Sequence, residues 1–158
     1  MRKQWKKVMP VVLGSSFLYS PMTQAAELTD QFYTSSISSI TSGNHTVNNG
    51  DVTLDASGYT GAFAYQRAII NTMNGAVNIG IGQGNTLTIK GFNNNSSQQN
   101  STLYAYKRAP TLSGTMTFTG GNIVVSNEVT NSYANVYGLF ADNEGQFSFK
   151  SDGDNKIN

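Results

Sequence analysis

Asp51 and Asp55 flank Thr53 in an alternating segment, and two carboxylates at that spacing could bind Ca²⁺ or serve as acid and base. The same alternation turns Val52 and Leu54 inward, so Asp51, Thr53 and Asp55 are expected simply to face solvent. Asp152-Gly153-Asp154-Asn155 is rich in oxygen donors. It lacks both the twelve-residue ligand spacing that ends in Glu and the Gly-Gly-x-Gly-x-Asp nonapeptide, and reads as a polar turn. Gly80-Ile81-Gly82-Gln83-Gly84 superficially suggests a phosphate-cradling loop. No Lys-Ser/Thr follows it and no helical pattern offers an N-terminus to an anion, so an irregular turn between strands is expected. His45 follows Gly43-Asn44 without a carboxylate and hydroxyl to complete a triad, and is expected in an exposed loop. No G-x-S-x-G elbow is present. Gln66-Arg67 and Lys107-Arg108 occupy equivalent places in the repeat described below and could form a short basic ladder, with a solvated turn as the simpler reading.

Composition narrows the chemistry further. The chain has 158 residues, of which 12% are charged, against about 25% in an ordinary soluble domain. That deficit argues against long surface helices, coiled coils and charge-rich disordered tails. Asn, Gly, Ser and Thr carry the polarity instead; they form turns readily and helices poorly, which favours many short strands. With Cys 0 and His 1, disulfides, Fe–S clusters and thiolate zinc sites have no material, and a histidine-based metal site or triad has almost none. No catalytic residue, no metal and no cofactor is expected, and the chain is not expected to be an enzyme.

Arg2, Lys3, Lys6 and Lys7 precede an apolar stretch, Val8-Met9-Pro10-Val11-Val12-Leu13 and then Phe17-Leu18-Tyr19. Thr23-Gln24-Ala25-Ala26 follows, which is the layout of a secretory signal with cleavage after Ala25 or Ala26. Pro10, Gly14, Ser15 and Ser16 break the apolar stretch, leaving it short of the roughly 20 residues a membrane span requires. Residues 1–26 are therefore expected to be a signal peptide, 27–42 a linker or N-terminal cap, and 43–158 a repeat region. Removing the four basic residues of the signal from the ten in the chain leaves six against nine acidic ones, a net charge of −3. Such a chain has no cationic footprint for nucleic acid, and export to the cell surface, the outer membrane or the medium is expected.

Two patterns recur in alternation. The first is Ala62-Phe63-Ala64-Tyr65-Gln66-Arg67-Ala68, then Leu103-Tyr104-Ala105-Tyr106-Lys107-Arg108-Ala109, then Val136-Tyr137-Gly138-Leu139-Phe140-Ala141-Asp142. The second is Asn74-Gly75-Ala76-Val77-Asn78-Ile79, then Ser113-Gly114-Thr115-Met116-Thr117-Phe118, then Glu144-Gly145-Gln146-Phe147-Ser148-Phe149, with Asn49-Gly50-Asp51-Val52-Thr53-Leu54-Asp55 as an earlier partial copy. Further strands are expected after Gly/Asn turns, at Leu87-Thr88-Ile89, Ile123-Val124-Val125 and Ile157. Similarity at a long period is what stacked coils produce, since equivalent residues share a column, whereas hairpins need none. The expected fold is all-β, a right-handed parallel β-helix, with an antiparallel β-sandwich or barrel as the alternative. Tyr104 and Tyr137 are expected at equivalent places, and Val77, Ile79, Leu87, Ile89, Met116, Phe118, Ile123, Val125, Phe147 and Phe149 in the core. The polar run over residues 93–101 is expected to be a mobile loop.

At these residues the sequence resembles the passenger domain of type V autotransporters, surface-exported β-helical proteins of Gram-negative bacteria. Residues 137–149 look like their recurrent coil, a Tyr-Gly-apolar-apolar-Ala stretch, a short turn and then Gly-x-apolar-x-apolar. The resemblance runs from about Gly43 to Asn158 together with the signal peptide. It implies a non-catalytic surface or secreted passenger that presents loops for adhesion to an unidentified host or bacterial ligand. The family's C-terminal barrel, at least 8 strands of about 10 residues, has no counterpart here, so a truncated N-terminal portion is expected, with a short secreted β-helix as the other reading. The last coil is then uncapped and prone to self-association. A secreted polysaccharide-active β-helix enzyme is the alternative function, and it would require acidic or basic groups converging from adjacent coils.

Overall fold

A computed structural model describes residues 24–60, 67–92, 100–127 and 136–158. They form eleven strands and, among the described residues, no helix: β1 Ala26–Glu27, β2 Gln31–Phe32, β3 Gly43–Val47, β4 Val52–Asp55, β5 Arg67–Asn71, β6 Val77–Lys90, β7 Asn100–Tyr106, β8 Thr115–Ser126, β9 Val136–Asp142, β10 Gln146–Ser151 and β11 Asn155–Ile157. β6 and β8 are long because each turns a corner while remaining paired on both sides of it. At that corner Gly84 and Gly120 both adopt φ 83, a conformation costly for residues that carry a Cβ. A side chain on Gly120 would also run into the carbonyl of Ile81 in the neighbouring strand.

All strand pairing described is parallel, and it builds three ladders. The first joins β1, β3, residues 77–81 of β6, residues 115–120 of β8, and β10. The second joins β2, β4, residues 86–90 of β6, residues 122–126 of β8, and β11. The third joins β5, β7 and β9, with Ile40 bridging to Ile70 ahead of them. The chain visits the first, second and third ladders in turn and then returns to the first one step along. Five tiers result: β1, β2 and Ile40; β3, β4 and β5; β6 and β7; β8 and β9; β10 and β11. Residues 27–42 thus supply most of tier one. Antiparallel hairpins, the alternative arrangement, do not occur among the described strands.

Alternation decides which residues meet inside. Val77, Ile79, Leu87, Ile89, Met116, Phe118, Ile123 and Val125 are all buried. Each such side chain contributes about 1.5–3 kcal/mol relative to exposure. Phe147 and Phe149, expected in the core, are only partly buried against it, because they belong to tier five and have neighbours on one side alone. Phe149 still stacks on Phe118 of tier four, with ring centroids 5.2 Å apart and planes 6° from parallel.

The second repeat pattern falls in register, Val77 and Phe147 both pairing with Met116. The first pattern does not. Tyr104 pairs with Phe140, and Tyr137 pairs with Ser101, a shift of three residues from the expected equivalence of Tyr104 and Tyr137. Burial explains the shift: Leu103 and Leu139 must both reach the core, so Leu103-Tyr104-Ala105 aligns with Leu139-Phe140-Ala141. The earliest copy of this pattern falls largely in residues 61–66, outside the described residues. The partial copy at Asn49 to Asp55 belongs to the second ladder, Val52 pairing with Leu87, whereas β3 is the tier-two member of the first.

Candidate functional site

The third ladder returns to the first through residues 72–76 in tier two, 107–114 in tier three and 143–145 in tier four. The last is a tight turn closed by a hydrogen bond from the Gly145 amide to the Asp142 carbonyl, 2.9 Å. Its central residues, Asn143 (φ 44) and Glu144 (φ 63), are both left-handed. Asn tolerates that region; Glu does so at a cost of about 1–3 kcal/mol. Tier three holds the turn in place: the Asn143 side-chain amide donates to the Lys107 carbonyl, and the Lys107 ammonium pairs with Glu144 Oε2 at 2.5 Å. The bond from Lys107 keeps the Glu144 carboxyl below its ordinary value. Glu144 is thus a surface carboxylate paired with Lys107.

Around this pair lies an open hollow of about 210 Å³ lined by Lys107, Arg108, Ala109, Pro110, Asn143 and Glu144. A neighbouring one of about 370 Å³ shares Lys107, Pro110 and Glu144 with it and continues along residues 111–115. Arg108 is exposed. The arrangement offers a polar, solvated rim that could contact another surface. It does not bring a base to a nucleophile.

Most of the other carboxylates among the described residues are bonded to backbone amides. Glu27 accepts from the Thr46 hydroxyl at 2.6 Å and from the amides of Asn48 and Asn49 at 2.6 and 3.0 Å. These bonds, the Thr46 hydroxyl foremost, lower its pKa. Asp30 accepts from the Thr53 amide at 2.7 Å, and Asp51 from the Thr86 amide at 2.7 Å. Asn122 does the same for the Asp154 amide at 2.9 Å. In each case a side-chain oxygen in one tier accepts an amide of the next. Asp51 therefore joins two tiers, a role its expected solvent-facing position does not reveal. Asp55 pairs with Lys90 at 3.3 Å across tiers two and three and accepts from the Ser57 amide and hydroxyl. Burial pushes the Asp55 carboxyl upward, but the Ser57 bonds and Lys90 outweigh it and leave the pKa lowered.

His45 is not in a loop. It lies in β3, half-buried, in register with Ala26 and Ile79, with Nε2 at 3.1 Å from the Ser42 carbonyl. Alternation inward from Val47 places it in the core-facing column, where the sequence offered only its polarity as a guide. Gly80 to Gly84 run through the corner of β6, where the register with β8 shifts between Ile81 and Thr86. Asp152 to Asp154 form the turn between β10 and β11, which Asn155 opens, and the turn is held to tier four by Asp152 N to Gly120 O at 2.9 Å. Of the two readings of the basic pairs, the ladder does not form: Arg67 opens β5 in register with Asn100, Gln66 lies outside the described residues, and Lys107 and Arg108 lie in the connection after β7, as the simpler reading has it for that pair. Of the polar run expected as a loop, residues 93–99 lie outside the described residues, while Asn100 and Ser101 open β7 and Ser101 is buried. Ala26 opens β1, with Ala25 just ahead of it. Among the described residues no three His, Asp or Glu side chains gather to hold a metal, and no helix is long and apolar enough to cross a membrane.

The amide-holding roles of Glu27 and Asp30 and the bond from the Asn143 side chain to the Lys107 carbonyl escaped sequence reasoning, because each depends on which residue lies one tier away. The one available signal was the Asp-Asn-Glu-Gly turn. Comparison with protein-family models, curated proteins and solved structures yields no match to this chain.

Proposed function

We propose that this chain is the β-helical passenger portion of an exported surface protein, cut free of its signal after Ala25 or Ala26, and that it acts by adhesion rather than catalysis. One observation carries the reading: six of the eight side-chain carboxylates among the described residues, those of Glu27, Asp30, Asp51, Asp55, Asp142 and Glu144, are committed to amides, hydroxyls or a lysine of the fold itself. A polysaccharide-cleaving site needs carboxylates free to exchange protons with a substrate. The succession of three parallel ladders supports coils of a β-helix, and the coils provide a rigid frame from which connections such as 107–114 project. Resemblance to the autotransporter passengers supplies the localisation, at the surface of a Gram-negative cell or released from it.

The experiment is binding of the exported chain to host cells, extracellular matrix and bacteria. Replacement of residues 108–112, or of 93–99, by Gly/Ser of equal length should abolish binding by at least one replaced chain while the strand-rich circular dichroism is retained. Undiminished binding by both would reject these connections as the adhesive surface. Release of reducing ends from a polysaccharide by the intact chain would reject the non-catalytic reading.

A further inference from the structure

Asn is followed by Gly at two places in the chain, Asn49-Gly50 and Asn74-Gly75. Such a pair is chemically labile, because the glycine amide nitrogen can attack the Asn side-chain carbonyl and no Cβ crowds its approach. Both pairs lie in connections of tier two, the first between β3 and β4 and the second between β5 and β6. The fold treats them differently.

Asn74-Gly75 is held at each reacting group. The Asn74 side-chain amide donates to Thr41 Oγ1 at 3.0 Å, and the Gly75 amide, the would-be nucleophile, donates to the Thr72 carbonyl at 3.2 Å. The Asn74 backbone amide is held as well, by the Thr41 carbonyl at 3.2 Å. At Asn49-Gly50 only the Asn49 backbone amide is engaged, donating to Glu27 Oε1 at 3.0 Å. Asn49 is exposed, and among the described residues nothing bonds its side chain or the Gly50 amide. A Cβ placed on Gly50 would meet nothing within 4 Å, so the surroundings leave room for a ring to close there.

We propose that Asn49-Gly50 is a site of spontaneous deamidation in the folded chain, that Asn74-Gly75 is protected from it, and that the product loosens the hold of tier one on tier two. Hydroxide removes the Gly50 amide proton, and the nitrogen bonds to Asn49 Cγ. The bond from Cγ to the side-chain nitrogen breaks, and ammonia leaves. Water then adds to either carbonyl of the cyclic imide. Opening on one side gives aspartate, and opening on the other gives isoaspartate, in which the main chain runs through Cβ and Cγ. Asparagine and water have become a carboxylic acid and ammonia. Either product puts a carboxylate on a residue whose amide Glu27 already holds. Glu27 Oε1 accepts the amides of Asn48 and Asn49 at 2.6 and 3.0 Å and so ties tier one to the β3–β4 connection. A second anion beside it opposes that bond. The inference rests on the hydrogen bonds of the two turns and is independent of the adhesive reading.

The test is incubation of the full chain in mildly alkaline buffer, with peptide mapping by mass spectrometry and isoaspartyl methyltransferase labelling. Asn49 should convert about tenfold faster than Asn74, whose reacting groups must first give up two hydrogen bonds. In urea, where neither turn persists, the two rates should converge. Thr41→Ala should speed conversion of Asn74 and leave that of Asn49 unchanged. Asn74 converting as fast as Asn49 in the folded chain would overturn the proposal, as would an Asn49 that converts in urea but not in buffer. For the consequence, Asn49→Asp should lower the hydrogen-exchange protection of the Asn48 amide about threefold, the scale of an exposed charge pair, and should not lower it when Glu27→Gln is also present. An equal fall in both backgrounds, or none in either, would overturn the loosening of tier one.

Discussion

A single carboxylate in this molecule does the work that a repeated backbone cannot, accepting amides where the ladder turns a corner. Asp55 is the best placed for measurement, with its Ser57 and Lys90 partners and a side chain only 15% exposed. Its folded-state pKa lies below the ordinary 3.8. The bonds therefore add stability that is present above that value and is lost as pH falls through the lower, folded one. Asp55→Asn should cost about 1 kcal/mol at pH 7 in urea unfolding, and the gap from wild type should close as pH falls below the ordinary value. A gap that persists undiminished in acid would remove the charge from the explanation. Gly145 makes a different demand: a Cβ there would meet the Ala105 carbonyl, a backbone atom that cannot swing away. Gly145→Ala should lower stability by about 2 kcal/mol or more, read as a fall in the urea midpoint with unchanged slope. Little of this was legible in the sequence. That Asp51 holds the Thr86 amide follows from the register of tiers two and three, and His45 looks polar in sequence yet takes a core-facing place because Val47 beside it fixes the parity of β3.

Strands reveal themselves better than side-chain partners do, because alternation is local. The pairs Val77/Ile79, Leu87/Ile89, Met116/Phe118 and Ile123/Val125 were readable from period two alone, and their common columns from the Gly turn that precedes each of the first-ladder strands. The third ladder was misaligned by three residues, since Tyr104 and Tyr137 look alike while the requirement that Leu103 and Leu139 share the interior is not visible along the chain. The tiers also differ in how completely each strand is covered. Phe118 in tier four is fully buried, and its stacked partner Phe149 in tier five is not. Phe118→Ala should therefore cost about 3–5 kcal/mol, and Phe149→Ala distinctly less. Equal losses in denaturant titration would show that tier five is covered as fully as tier four.

For the molecule as a whole, stability is expected to be graded along the stack, since β6 and β8 have paired strands on both sides while β1, β2 and β11 are short members at its two ends. Backbone amides of β6 and β8 should exchange with deuterium most slowly and those of the end strands fastest. Uniform protection would indicate one all-or-none unit. The same stacking gives the molecule a mechanical grain. Hydrogen bonds between tiers run along the stacking axis, so a pull applied at the two termini along that axis loads them one row at a time, as in a zipper, rather than all together. Asn44 and Asn78 are stacked partners 34 residues apart. Along the column Glu27, Thr46, Gly80, Thr119 and Lys150 the steps are 19, 34, 39 and 31 residues, so each tier that lets go should lengthen the chain by roughly 60–140 Å, at about 3.3–3.6 Å per extended residue. A force–extension trace should show a low sawtooth of unequal teeth, and a chain under tension would yield by paying out slack in steps whose lengths report which tier has let go.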